Sequence, residues 1–317
     1  MVLQSIFARI KTGFTIAKAS FGVLRSEKWL LVFPLLYGLT WTVGIALLIA
    51  GLLVALVGAG IGVGVLEQFT GASDGTVDGV FQVVAILASF GVMFVATAVA
   101  TFFSAALVHS VGKLFQGQET SVRDGLAGAW ASHRTILAWG VVGAVVGLIF
   151  QALESRDGLG AQIARGIAGF AWFAMTFFIV PVIVFQDGGV RESMRESVTT
   201  FRETWGEVGG VSLGIGLVIV PLALVVLATG IGAPLFFLED PSGVLPYSVA
   251  VTVLLLGALV VVHTAATAIA KTALYQYADG GELPPQFDGI DPQNLASRKR
   301  GSKSVSSDPS GQQPGQI

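Results

Sequence analysis

The sequence predicts an all-α integral membrane protein of six transmembrane helices in three hairpins, with amphipathic cytoplasmic helices before spans 1, 3 and 5. Three observations predict it. Charged residues make up only 12% of the 317-residue chain, about half the share usual in soluble domains. The mean hydropathy is +0.78, and it comes from long uncharged runs rather than from scattered core positions. Finally, lysine and arginine cluster in alternate connecting segments.

The N-terminal 28 residues are too polar for the apolar stretch of a signal peptide. The run that begins at Leu30 is far longer than such a stretch, so an uncleaved first span is expected. Six runs approach or exceed the roughly 20 apolar residues a crossing needs: 30–57, 80–108, 136–153, 167–185, 208–227 (with an extension toward 238) and 247–274. The first run continues into the glycine series Gly58, Gly60, Gly62 and Gly64, where a helix is weakened. With the N-terminus in the cytoplasm, 16 of the 18 Lys and Arg fall on the cytoplasmic side, leaving only Arg156 and Arg165 outside. Both termini are therefore expected in the cytoplasm of a multi-pass cell-membrane protein.

Three cytoplasmic segments carry helical periodicity. In the first, Phe7, Ile10, Phe14, Ala17, Phe21 and Leu24 form one stripe, with Arg9, Lys11, Lys18, Arg25 and Lys28 off it. In the second, 120–134, Val122, Leu126 and Trp130 share a side, and Thr120 or Ser121 is placed to cap. In the third, 188–207, the apolar positions are Val190, Met194, Ser197 or Val198, Phe201 and Trp205. Glu192 and Arg195 there form a favourable pair three apart. One plan recurs from near Ser5, Thr120 and Val190: amphipathic helix, span out, loop, span back; it reads either as an internal repeat or as ordinary hairpin construction. Residues 1–278 thus form a single membrane domain. Residues 279–317 form a cytoplasmic tail, disordered beyond about residue 295 by its Pro, Gly, Ser and Gln content, with the basic cluster RKRGSK at 298–303.

Four stretches, KASFGVLRSEKWLLVFPLL, ATFFSAALV, FFIVPVIVFQDGGVRESMRESVTTFRETWGE and KTALYQYADGG, resemble blocks of a prokaryotic family of multi-span membrane proteins catalogued only as a domain of unknown function. The resemblance covers roughly residues 5–290. The third block is the most specific, and it is also similar to the membrane portion of some glycerophosphodiester phosphodiesterases. The chain has no room for that catalytic domain. The resemblance implies a fold and supplies no catalytic residues.

Ionisable residues within spans are the default functional candidates. His263, Thr267 and Lys271 recur every four residues on the sixth span, with Lys271 near enough to the surface to snorkel. Thr97, Thr101, Ser104 and His109 follow the second. They read either as a polar path or as hydrogen-bonding positions between helices. Pro34, Pro181 and Pro221 interrupt spans one, four and five, as kinks or as breaks around a site. The small-residue pairs Gly58/Gly62, Gly60/Gly64, Gly143/Gly147 and Gly210/Gly214 suit close helix contact within one chain.

The chain lacks cysteine, so disulfides, iron–sulfur clusters and thiolate zinc sites are excluded. His109, His133 and His263 are too few and too scattered for a metal site. Neither a phosphate-loop nor an HExxH motif occurs, and GAGIGVG follows no strand. The expectation is a protein with no cofactor and no enzymatic or nucleic-acid role. It would bind or organise membrane lipid, or a membrane partner protein, at the cytoplasmic face. The alternative is a transporter for a small or hydrophobic molecule.

Overall fold

The computed structural model describes residues 2–44, 74–154, 158–186, 188–280 and 283–287; among them there is no strand. Helix α1 spans Val2–Ser26, and a short 3-10 turn, Lys28–Leu31, leads into α2, which begins at residue 32 and is described to residue 44. Then come α3 (Asp74–Phe115), α4 (Val122–Ala131), α5 (His133–Glu154), α6 (Leu159–Thr176), α7 (Ile179–Phe185) and α8 (Val190–Leu227). A π-helical turn, Ala228–Gly232, joins α8 to α9 (Ala233–Phe237), and α10 (Leu245–Gly280) closes the bundle.

Five stretches among the described residues are long and apolar enough to cross a membrane: Gln82–Phe115, His133–Glu154, Leu159–Phe185, Val190–Phe237 and Leu245–Gly280. They coincide with the second to sixth expected spans, consistent with a multi-pass membrane protein. The first expected span, 30–57, is described only to residue 44. The glycine run at 58–64, Arg156 and the basic cluster at 298–303 also lie outside the described residues.

Several boundaries differ from expectation, each for a local reason. Helix α3 does not stop near residue 108 but continues to Phe115. At 42 residues it is about 63 Å long, roughly twice the thickness of a hydrocarbon core. It ends where Gly117 takes φ +70° and the Gln118 N–H donates to the Lys113 carbonyl at 3.0 Å, the glycine-dependent stop of many helices. Pro34 does not interrupt a span; it lies in the first turn of α2, where a missing N–H costs no helical bond. The expected segment 188–207 and the fifth span are one helix, α8, bent at Thr204, which has φ −114° and ψ 17°. The Thr204 hydroxyl donates to the Thr200 carbonyl at 2.8 Å, a back-bond that bends helices. Pro221 sits within the same helix.

The core gathers at the end of the bundle that carries most of the Lys and Arg. Ile16, Leu30, Phe33, Leu107, Val108, Val111, Phe178, Val182, Ile269 and Leu274 are all almost fully buried there. The far halves of the spans keep large apolar side chains exposed, among them Leu87, Ile149, Phe170, Leu217 and Leu254, as lipid-facing helices do. Residues 283–287, expected in the tail, fold back onto this core. Phe287 is buried with its ring 5.6 Å from that of Phe115, and Gln286 Nε2 donates to the Leu114 carbonyl at 2.9 Å.

Candidate functional site

The three segments at the basic end dock by a rule the periodicity did not anticipate. Each turns its small residues inward. Over residues 11–26 of α1 the buried positions are Thr12, Gly13, Ile16, Ala17, Ser20, Val23 and Leu24, so the buried face is rotated from the expected stripe and Phe14 stays 42% exposed. A Cβ added at Gly13 would meet the Glu207 carbonyl oxygen and lie 2.8 Å from both Gly210 Cα and Val211 N, so α1 and α8 cross backbone to backbone. The pair Gly210/Gly214 serves this crossing, with Gly214 lying against Phe14 and Ala17.

On α4 the buried positions are Gly125 and Ala129, whereas Trp130 is 66% exposed. Gly125 lies against Ser110, Phe33 and the Ala106 carbonyl, and Gly128 lies against the His109 ring. Ser121 is the cap: its hydroxyl accepts from Asp124 N–H, while the Asp124 carboxylate accepts from Ser121 N–H at 3.0 Å. The Ser121 hydroxyl, donating to Asp124 Oδ2 at 2.6 Å, and then the Ser121 N–H hold the Asp124 carboxyl below its ordinary value. On the first half of α8 the buried positions are Ser193, Ser197, Thr200, Phe201 and Thr204, and Trp205 is 53% exposed. Val190, Met194 and Val198 are only half-buried. Small side chains win the inward face because they let helix backbones approach, and close packing is what associates helices when water drives nothing. Phe14, Trp130 and Trp205 are left at the rim beside the Lys and Arg, whereas Phe201 is buried.

A second feature lies between the spans. The fourth span is broken: α6 ends at Thr176 and α7 begins at Ile179. Pro181 has no N–H, so the carbonyl of Phe177 loses its helical donor. The Phe178 N–H, displaced by the same break, donates to Ser197 Oγ of α8 at 3.2 Å. Lys271 of α10 reaches toward the break, its Nζ 4.3 Å from the centre of the Phe177 ring, within cation–π range. It does not snorkel outward; it is partly buried.

Two adjoining cavities open from this point. The smaller, about 200 Å³, is lined by Ser104 and Val108 of α3, Thr176, Phe177 and Pro181 at the break, and His263, Thr267 and Lys271 of α10. The larger, about 460 Å³, continues along Thr97, Ala100, Thr101 and Ser104 to Gly143, Phe150, Trp139 and Trp172. Ser104, Thr176 and Val180 belong to both walls. Trp139 and Trp172 stack at 5.4 Å and floor the larger one. Gly143 and Gly147 make room by bringing α5 against Thr97 and Met93 of α3.

The structure therefore brings His263, Thr267 and Lys271 together with Thr97, Thr101 and Ser104 along one furrow. The Thr267 hydroxyl is buried there without a hydrogen-bond partner, whereas Thr101 donates to the Thr97 carbonyl at 2.7 Å. His263 stands at the exposed edge. His109 is elsewhere: five residues beyond Ser104 it is turned about 140° around the helix, and it packs on α4. Val108 takes the place expected of it. The sequence reading missed Thr176, Phe177, Trp139 and Trp172, and it placed Ser197 on the inward face without its role as acceptor at the break. The available signal was Pro181, which marks the carbonyl four residues earlier as lacking a donor.

No curated protein and no solved structure matches the chain. A family model described as a family of unknown function (DUF6159) matches residues 80–284, from α3 through α10, a stretch that contains the whole furrow. The chain belongs to that family.

Proposed function

We propose that this protein is a non-enzymatic, six-span membrane protein in three hairpins, with both termini in the cytoplasm, that binds and organises anionic lipid at the cytoplasmic face. The carrying observation is how α1, α4 and the first half of α8 are used. Their small faces are spent on the protein, so Phe14, Trp130 and Trp205 stay exposed. Lys11, Lys18 and Arg25 on α1, Arg123 on α4, and Arg191, Arg195 and Arg202 on α8 share these helices. Aromatic side chains favour the headgroup level, and cations there attract anionic lipid at about 1 kcal/mol each. The amphipathic character of these helices lies in that outward rim.

The test is mass spectrometry of lipid retained on the full chain after gentle purification. A stoichiometric anionic lipid is expected, and combined Phe14→Ser, Trp130→Ser and Trp205→Ser substitutions should reduce it. Lipid retained only in bulk proportions, and unchanged in the variant, would refute the proposal. A co-purifying protein in place of lipid would instead mark the rim as a partner surface. Deleting α1 is not an informative test, because its buried face is part of the core.

A second reading, transport of a small or hydrophobic molecule, is favoured by the furrow from Thr97 to Lys271. Proteoliposome flux abolished by His263→Leu would support it; flux indifferent to that change would count against it.

A further inference from the structure

We infer that the furrow between α3, α5, the α6–α7 break and α10 is a binding site for a single-chain amphiphile with an anionic head, held at Lys271. This site is separate from the rim of the interfacial helices. Four observations carry it.

First, the charge is uncompensated locally. Lys271 Nζ sits over the Phe177 ring, and no Asp or Glu is among the described residues lining either cavity. A cation placed among apolar walls is costly without an anion, and intramembrane ionisable groups mark ligand sites for that reason. Second, hydrogen-bonding capacity is held open beside it. Thr267 Oγ1 is buried without a partner, and both Thr267 and Ser104 line the same cavity as Lys271. Third, the rest of the furrow is mainly apolar and aromatic, with Phe150, Trp139 and Trp172 on its walls, and the Thr101 and Thr176 hydroxyls there already donate to the Thr97 and Phe173 carbonyls of their own helices. That is the surface for an acyl chain, not for a polar solute. Fourth, the dimensions suit one chain. The α3 wall runs from Ala96 to Val108, about 18 Å at about 1.5 Å per residue. Half a hydrocarbon core is about 15 Å. The cation lies at the end of the furrow nearer the basic end of the bundle, so head and tail take the polarity of a lipid in that leaflet.

A single lysine with two hydroxyls suits a singly charged head such as a carboxylate. A phosphate is more often held by the paired donors of arginine, and no Arg lines the furrow among the described residues.

The experiment uses the full chain in nanodiscs of neutral phosphatidylcholine, with palmitate as the probe and its methyl ester as the uncharged control. Saturable palmitate binding is expected, with little binding of the ester. Lys271→Met should weaken palmitate by about tenfold or more, the effect of losing a charge-assisted hydrogen bond, and Lys271→Arg should retain most of it. Competition by lysophosphatidate at much higher concentration than palmitate would assign the head as a carboxylate; competition at lower concentration would assign it as a phosphate within the same anionic class. Equal affinity for acid and ester, equal affinity in wild type and Lys271→Met, or no saturable binding of either anion would overturn the proposal. Should Lys271→Met fail to fold, a photoactivatable palmitate on the wild-type chain decides the matter. Crosslinks on α3, α6 and α10 residues of the furrow support the site, and crosslinks confined elsewhere refute it. Neutral nanodiscs separate this outcome from the rim proposal, which concerns anionic bilayer lipid and is indifferent to Lys271.

Discussion

The α1–α8 crossing gives the sharpest test of how this protein is held together. Replace Gly13 with alanine. The new Cβ would stand 2.8 Å from Gly210 Cα and Val211 N, where ordinary contact is about 3.5–4 Å. These two and the still nearer Glu207 carbonyl oxygen are all backbone, so the helices must part by about 1 Å. Overpacking of this kind costs about 1–3 kcal/mol. Alanine also favours helix over glycine by about 1 kcal/mol, which confounds a single variant. Gly22 supplies the control, because a Cβ there meets nothing within 4 Å. The difference between Gly13→Ala and Gly22→Ala isolates the clash at about 1–3 kcal/mol, or roughly 5- to 150-fold more opening of α1. The assay follows from composition: the chain has no cysteine, and Ser20 is fully buried on the docked face of α1. A Ser20→Cys thiol is therefore a unique reporter, and its maleimide labelling rate measures opening. Faster labelling by that factor in the Gly13→Ala background is expected. Equal rates in the two backgrounds would refute the backbone-to-backbone crossing.

Other outcomes follow from single contacts. Ser197→Ala leaves the Phe178 N–H without an acceptor inside the bundle, so thermal stability should fall by about 1–3 kcal/mol; Ser193→Ala, whose hydroxyl only donates back to its own helix at Gly189, should change it little. The Asp124 carboxyl is held below its ordinary 3.8 by the bonds from Ser121, so its capping contribution is fully present above that value and is lost as pH falls through the lowered one. Ser121→Ala should return the carboxyl toward 3.8, read by NMR of labelled aspartate on the full chain. For the proposed topology, Gln118→Cys and Ser242→Cys should react with impermeant thiol reagents from opposite sides of the membrane; reaction from one side would refute six spans with cytoplasmic termini.

Much of the architecture was legible because bilayer-length apolar runs are a one-dimensional signal. Spans two to six needed only length and hydropathy. A cap at Thr120 or Ser121, which in the structure is Ser121, and the close contacts at Gly143, Gly147, Gly210 and Gly214 were also readable, since each rests on a local chemical property. The docked faces were legible only in part. Periodicity weighs bulk and apolarity; it placed Ala17, Leu24, Ser197 and Phe201 on faces that are buried, but with them Phe14, Trp130 and Trp205, which are exposed. Helix contact inside a membrane domain rewards small size, and it chose Gly13, Ser20, Gly125, Ala129 and Ser193 as well.

The furrow divides the same way. Spacing alone put His263, Thr267 and Lys271 on one face, because that is helical geometry. It put His109 with Ser104 wrongly, because five residues carry a side chain most of the way to the opposite face. The sequence by itself determined which segments are helical, which are apolar enough for lipid, and where a proline must leave a carbonyl without its donor. Only the tertiary structure decided that α10 delivers Lys271 to that break, that Ser197 answers it from α8, and that α5 and α6 each bring a tryptophan to the wall. Those pairings join residues from 19 to 94 positions apart, and their partners are selected by which backbones can approach closely, a property of pairs of helices that no single stretch of sequence contains.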